Sequence, residues 1–208
     1  MKKSQSSKQW LRRHVNDPYV QRSKREGYRS RAAYKLTEID ERDKLLRAGQ
    51  VIVDLGAAPG GWTQVCAKRV GPAGLVIGID LLPVAPIPNA TLLQADFTSR
   101  KGLESLQALL AGRKADLVLS DMSPNISGIA VSDQARSMGL SEVALEFALA
   151  HLQPEGAFLV KVFQGAGYDE FFRALRAGFA KVVVRKPDAS RDESAEQYVL
   201  ARVLRTRQ

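Results

Sequence analysis

The chain has 208 residues, 45% of them hydrophobic, which suits one α/β domain with a full core. No apolar run approaches the ~18 residues of a membrane span, and the opening Met1-Lys2-Lys3-Ser4 is basic without an apolar centre, so membrane and secretory readings give way to a cytoplasmic one. The net charge of +9 is N-terminal: residues 1–35 hold eleven of the 31 Lys/Arg and two of the 22 Asp/Glu, and the remaining twenty of each sign cancel.

A neutral body with a basic arm over residues 1–30 suits a polyanion partner, most simply nucleic acid. Trp10, Tyr19, Tyr28 and Tyr34 interleave with the cations and can stack on bases or ribose. A tail that only aids solubility is the blander reading. Membrane-surface binding is disfavoured because the arm has no long apolar face. The lone Cys66 cannot close an internal disulfide, and His14 and His151 are the only histidines, so no Cys/His zinc site can be assembled and no metal is expected.

In chain order, residues 1–8 are polar and expected to be disordered, and Trp10 to about Lys24 reads as a short helix or irregular arm. Ser30 is placed to cap a helix running to about Leu46, with Ala33, Leu36 and Ile39 on one face. Strands are predicted at Val51–Leu55, Leu75–Ile79, Ala90–Gln94, Leu117–Ser120, Ala157–Val162, Lys181–Val184 and Tyr198–Val203. Helices are predicted between them at about Trp62–Val70, Leu103–Ala111, Gln134–His151 and Tyr168–Gly178. The alternation predicts a doubly wound, mainly parallel seven-stranded sheet in a single domain, residues 31–208. Arg185–Gln197 has no room for a crossover helix, so the last strand should be reversed.

The richest stretch is Val51-Ile52-Val53-Asp54-Leu55-Gly56-Ala57-Ala58-Pro59-Gly60-Gly61-Trp62, a strand, a tight loop and a helix start. Such a loop lets a bulky ligand lie on bare backbone at the carboxyl edge of a parallel sheet, facing a helix N-terminus. It is not the dinucleotide fingerprint, because Ala58 stands where the second glycine belongs, and it lacks the Lys-Ser/Thr end of a P-loop. Acids recur at the predicted strand ends: Asp54, Asp80, Asp96 and Asp121. Asp80 is placed to accept from two ribose hydroxyls and Asp96 to meet an adenine amino group, although either can also cap the next helix. Lys161, inside Phe158-Leu159-Val160-Lys161-Val162-Phe163, is unusual in an apolar strand. Burial there should favour its neutral amine, and a nearby carboxylate would oppose that shift.

The loop resembles the first loop of S-adenosylmethionine (SAM)-dependent methyltransferases, and its Ala-Ala-Pro-Gly-Gly-Trp form resembles ribose 2'-O RNA methyltransferases. Lys35, Asp121, Lys161 and Glu196 resemble the catalytic tetrad of those enzymes. Arg29-Ser30-Arg31-Ala32-Ala33-Tyr34-Lys35-Leu36, Asp80-Leu81-Leu82-Pro83, Val160-Lys161-Val162-Phe163-Gln164-Gly165 and Arg185-Lys186-Pro187-Asp188-Ala189-Ser190-Arg191 resemble the FtsJ family. The similarity runs from Trp10 to Val203.

The resemblance implies a Rossmann-like fold with helices on both faces. It implies SAM as cofactor, held by Asp54, Gly56, Ala57, Pro59, Gly60, Gly61, Trp62, Asp80, Leu81, Asp96, Phe97 and Asp121. Lys161 would be the general base, or the donor that steadies a developing alkoxide. Asp121 and Glu196 would orient it, while Lys35 would hold the 2'-oxygen and keep Lys161 deprotonated. The implied substrate is a uridine ribose of large-subunit (23S) ribosomal RNA, within the assembled 50S subunit. RNA contacts fall to Arg12, Arg13, Arg29, Arg31, Tyr34, Arg185, Lys186 and Arg191. A monomer without an obligate protein partner is the default. Methylation of a tRNA or mRNA, a SAM enzyme acting on a protein or small molecule, and a SAM-binding RNA module without catalysis stand as alternatives.

Overall fold

A β-branched run makes β1 (Val51–Leu55), and its alternation sends Val53 and Leu55 to one face of the sheet, Ile52 and Asp54 to the other. The computed structural model describes residues 15–125, 127–191 and 194–205. The expectations for residues 1–8, Trp10, Arg12 and Arg13 lie outside that range. In chain order the elements are α1 (Pro18–Glu26), α2 (Ala32–Asp43), β1, α3 (Gly61–Val70), β2 (Leu75–Asp80), β3 (Thr91–Gln94), α4 (Arg100–Leu110), β4 (Ala115–Ser120), α5 (Ala130–His151), β5 (Leu152–Phe163), α6 (Tyr168–Gly178), β6 (Phe179–Arg185) and β7 (Glu196–Leu204).

The seven strands form one sheet in the order β3-β2-β1-β4-β5-β7-β6. β7 runs antiparallel to both its neighbours, and the other pairs are parallel. The reversed last strand is the one the short 186–195 connection predicts. Leu106 and Leu110 of α4, Leu145 and Phe147 of α5 and Phe171 and Leu175 of α6 pack with Val53, Leu55, Ile77 and Phe158. Leu36 and Ile39 of α2 and Trp62, Val65 and Cys66 of α3 pack with Ile52, Leu117, Leu159, Tyr198 and Leu200 on the opposite face. Burying each such side chain contributes about 1.5–3 kcal/mol. No helix of the described residues is long and apolar enough to cross a membrane.

Three local expectations are corrected. Ser30 does not cap α2 with its side chain: α2 has no side-chain cap, and Ser30 Oγ has no hydrogen-bond partner. The hydroxyl is pressed against the start of α3, where a Cβ on Gly61 would lie only 2.4 Å from it. α2 stops at Asp43, short of Leu46, because Lys44 turns left-handed and the Leu46 N–H is taken by Asp40 Oδ1. β5 starts at Leu152, five residues before the predicted Ala157, because it tolerates Pro154 and Gly156 where β4 shifts register against it.

α1 begins as its sequence dictates: Asp17 accepts from the N–H groups of Tyr19 and Val20, and Pro18 opens the helix. It meets α2 through Tyr34, whose ring is 5.5 Å from both Tyr19 and Tyr28. The Tyr19 hydroxyl donates to Glu38 and the Tyr34 hydroxyl to Glu26. The described part of the basic arm is thus folded onto the domain.

Phe179 is buried against Phe158, their rings stacked at 6.4 Å. Phe179→Ala should lower the unfolding free energy by about 3–5 kcal/mol through the cavity it leaves, read from the shift of a urea unfolding midpoint.

Candidate active site

Parallel strands that share one polarity bring their carboxyl ends, with the acids that end them, to a common edge. A cavity of about 730 Å³ opens there, lined by Gly56, Asp80, Leu81, Asp96, Phe97 and Asp121, together with Met122, Pro124, Arg136 and Leu140. Its volume suits a cofactor-sized ligand. The Asp80 carboxylate receives the Ala58 and Leu82 N–H groups, one on each oxygen, at 2.8 Å. Asp96 Oδ1 receives the Thr98 N–H and hydroxyl. Each carboxylate keeps acceptor capacity for hydroxyl or amino donors. Apolar walls with acidic acceptors fit a nucleoside-bearing cofactor.

Of the loop, Gly56 and Ala58 reach the lining, and the other residues stand behind it. Gly56 turns left-handed at φ 79, and a Cβ on it would strike Met122 at 2.4 Å. Ala57 is buried. Pro59 follows a cis peptide bond, and Gly60 and Gly61 abut Arg29 and Ser30. Trp62 is buried, its indole N–H donating to the Ala32 carbonyl and its ring 5.6 Å from Tyr198. Asp54 is fully buried below the loop. Thr63 Oγ1 donates to Asp54 Oδ2 at 2.6 Å, and Oδ1 has no partner. Burial, reinforced by Asp121 and Asp80, raises this carboxyl to about 7.

At the cavity rim two lysine–acid pairs meet. Lys161 is 7% exposed; its Nζ donates to the Asp121 carbonyl at 2.6 Å and lies 3.1 Å from Asp121 Oδ1. Lys35 Nζ lies 2.5 Å from Glu196 Oε1, which also accepts from Ser190 Oγ at 2.9 Å. Glu196 therefore faces Lys35, where the sequence reading set it beside Lys161. Tyr198 stands between the pairs: its hydroxyl donates to Asp121 Oδ1 at 2.8 Å, and Lys35 Nζ sits 5.6 Å above its ring. Burial and the Asp121 carboxylate push this phenol far above its ordinary value, so it remains a donor. Sequence reasoning missed Tyr198, although its position two residues after Glu196 puts both on one strand face. It also missed Ser190, Met122, Pro124, Arg136 and Leu140; the last two lie on α5, where no local signal singles them out.

Those residues expected to meet RNA that lie in the described range have partners within the protein. The Arg29 guanidinium bonds the Pro59, Ala85 and Pro86 carbonyls. Arg31 pairs with Asp17 and the Ala189 carbonyl. Tyr34 is buried, its phenol pushed up to about 12 chiefly by burial and then by Glu26. Arg185 holds both Asp43 oxygens at 2.7 Å, and Lys186 donates to the Ser194 and Glu196 carbonyls. Arg191 is half exposed, 3.6 Å from Asp17.

A doubly wound sheet with a reversed last strand, a cofactor-sized cavity over its carboxyl edge and paired lysines at the rim define a Rossmann-like, group-transferring enzyme. The family model described as FtsJ-like methyltransferase matches residues 28–204. The chain is 55% identical to "Ribosomal RNA large subunit methyltransferase E" of Dechloromonas aromatica (strain RCB), over 99% of this chain and 100% of that protein. It is 58% identical to the protein of the same name from Azoarcus sp. (strain BH72), with the same coverage. A crystal structure described as a ribosomal RNA methyltransferase from Plasmodium falciparum superposes with a TM-score of 0.76 at 29% identity, covering 86% of this chain and 100% of that one. The chain belongs to the FtsJ-like methyltransferase family.

The folded-state value of Asp54, about 7, lies above the ordinary carboxylate value near ~4. Its protonation therefore favours the fold fully below about pH 4, and that contribution is lost as pH rises through about 7. The stability of the wild type relative to Asp54→Asn should fall across this window and level off above it. Urea titrations at stepped pH measure the difference; a flat difference would show Asp54 ionised throughout.

Proposed function

We propose that this chain transfers the methyl group of SAM to the 2'-hydroxyl of a uridine ribose in 23S ribosomal RNA, within the assembled 50S subunit, in the cytoplasm. The observation that carries this reading is the pairing of Lys161 with Asp121 and of Lys35 with Glu196 across Tyr198, at the rim of the cavity. The names of the full-length relatives supply the class of RNA.

SAM, when bound, supplies a methyl group already activated on a sulfonium. Asp80, Asp96, Leu81, Phe97 and the 54–62 loop would hold it. What the reaction then needs from the protein is alignment and removal of a proton from a poor nucleophile. Alignment can lower the barrier by up to roughly 7–11 kcal/mol. Lys161, fixed by two oxygens of Asp121, serves as the base at the 2'-oxygen or as the donor that steadies its developing charge. Lys35, fixed by Glu196, holds the same oxygen from the α2 side. Tyr198 locks Asp121 in place. The domain of residues 31–208 does the chemistry as a monomer, and the basic arm, with Arg12, Arg13 and Arg191, adds salt-dependent attraction to RNA phosphates.

The test is transfer from labelled SAM to 50S subunits that lack the modification, mapped by 2'-O-sensitive primer extension. Wild type should give a single ribose stop. Lys161→Ala should slow transfer by about 10²–10⁴-fold while SAM binding survives. Unimpaired transfer by the variant would remove Lys161 from the mechanism. Absence of label in 23S RNA with wild type would turn the reading toward another RNA or a module without catalysis.

A further inference from the structure

The segment after Asp80 reads Leu81-Leu82-Pro83-Val84-Ala85-Pro86-Ile87-Pro88. Its three prolines stiffen φ and carry no N–H, which leaves the segment few backbone donors with which to hold itself. Among the described residues, positions 83–86 make no hydrogen bond except those to one side chain, Arg29. The guanidinium donates to the Ala85 carbonyl at 2.7 Å and the Pro86 carbonyl at 2.8 Å, and from Nη1 to the Pro59 carbonyl at 3.3 Å. The backbone of Arg29 is itself held: its N–H donates to Gln64 Oε1 at 2.8 Å, and Gln64 Nε2 donates to the Gly27 carbonyl. A Cβ on Gly60 would lie 2.9 Å from both Arg29 Nη1 and Ile87 Cδ1, so the two loops and the arginine meet without slack.

Each of these loops gives part of the cavity wall, Gly56 and Ala58 from one and Leu81 and Leu82 from the other. On its inner side they are joined by Asp80, which takes N–H groups from Ala58 and Leu82. On its outer side the described junction is Arg29. We propose that Arg29 is a positioning residue of the cofactor site: it clamps the 57–61 and 81–88 loops together and so fixes the Asp80 carboxylate between them. The inference rests on the SAM reading above and moves Arg29 from the RNA face to the cofactor face. A lysine cannot replace it, because one ammonium on a flexible stem does not offer the planar fork that reaches three carbonyls. A phosphate contact, by contrast, would largely survive that change, since the charge is kept.

The experiment uses the full chain with Arg29→Lys and Arg29→Ala. SAM is titrated calorimetrically into RNA-free protein, and the KM for 50S subunits is measured at saturating SAM. Both variants should weaken SAM binding by roughly tenfold or more, with kcat at saturation and the subunit KM within about twofold of wild type. SAM affinity unchanged in Arg29→Lys, or a raised subunit KM with SAM binding intact, overturns the proposal. A wild type that binds no SAM overturns the underlying cofactor reading instead, which is a distinct result. Should either variant fail to fold, amide exchange on the wild type decides: SAM should slow exchange at Val84 and Ala85, and unchanged exchange there overturns the clamp.

Discussion

The antiparallel pairing of β7 with β5 is the constraint on which the site depends. It sets Tyr198 directly opposite Lys161 and Glu196 opposite Phe163. The side chains of Lys161 and Tyr198 emerge on the face covered by α2, which brings Lys35 within reach of Glu196. Had the last strand run parallel, its acid and its tyrosine would sit at the far end of the sheet. Burial enforces the rest. A lysine withdrawn from water is costly unless a carboxylate or carbonyl meets it, and Asp121 supplies both. Each pair is then held by a neutral donor, Tyr198 on Asp121 and Ser190 on Glu196.

Cations around the site are mostly spent on building it. Arg185 with Asp43 ties β6 to the end of α2, and Arg31 ties α1 to the loop before β7. Formal charge is therefore a poor guide to where a polyanion lies. The basic excess of the first 35 residues contains side chains that are struts as well as side chains open to solvent.

Much of the fold was legible because period and punctuation agree. β1 and α6 fall where alternation and the 3.6 period put them, and the reversed strand follows from one loop too short for a helix. The errors have local causes: the serine before α2 is consumed by packing against Gly61, and Pro154 and Gly156 look like breakers yet lie within β5. At the site, acids at strand ends were readable because sheet polarity gathers them. The roles of Tyr198 and Ser190, and the partners of Arg29 and Arg185, were not readable. Tyr198, Arg29 and Arg185 find their partners by tertiary contact, across 142 positions for Arg185 with Asp43, which no window along the chain can see, while Ser190 meets Glu196 six positions on, outside any regular period.

Cys66 lies in the layer between α3 and the sheet, and burial pushes its thiol well above the usual range. Thiolate is the species that reacts, so the folded chain carries no accessible nucleophilic sulfur among its described residues. A cysteine placed by mutation on the outer surface would thus be the one site open to maleimide, and the native residue would report unfolding by becoming alkylated. The protein arrives already suited to single-site spectroscopic labelling, with its own thiol acting as an internal sensor of integrity.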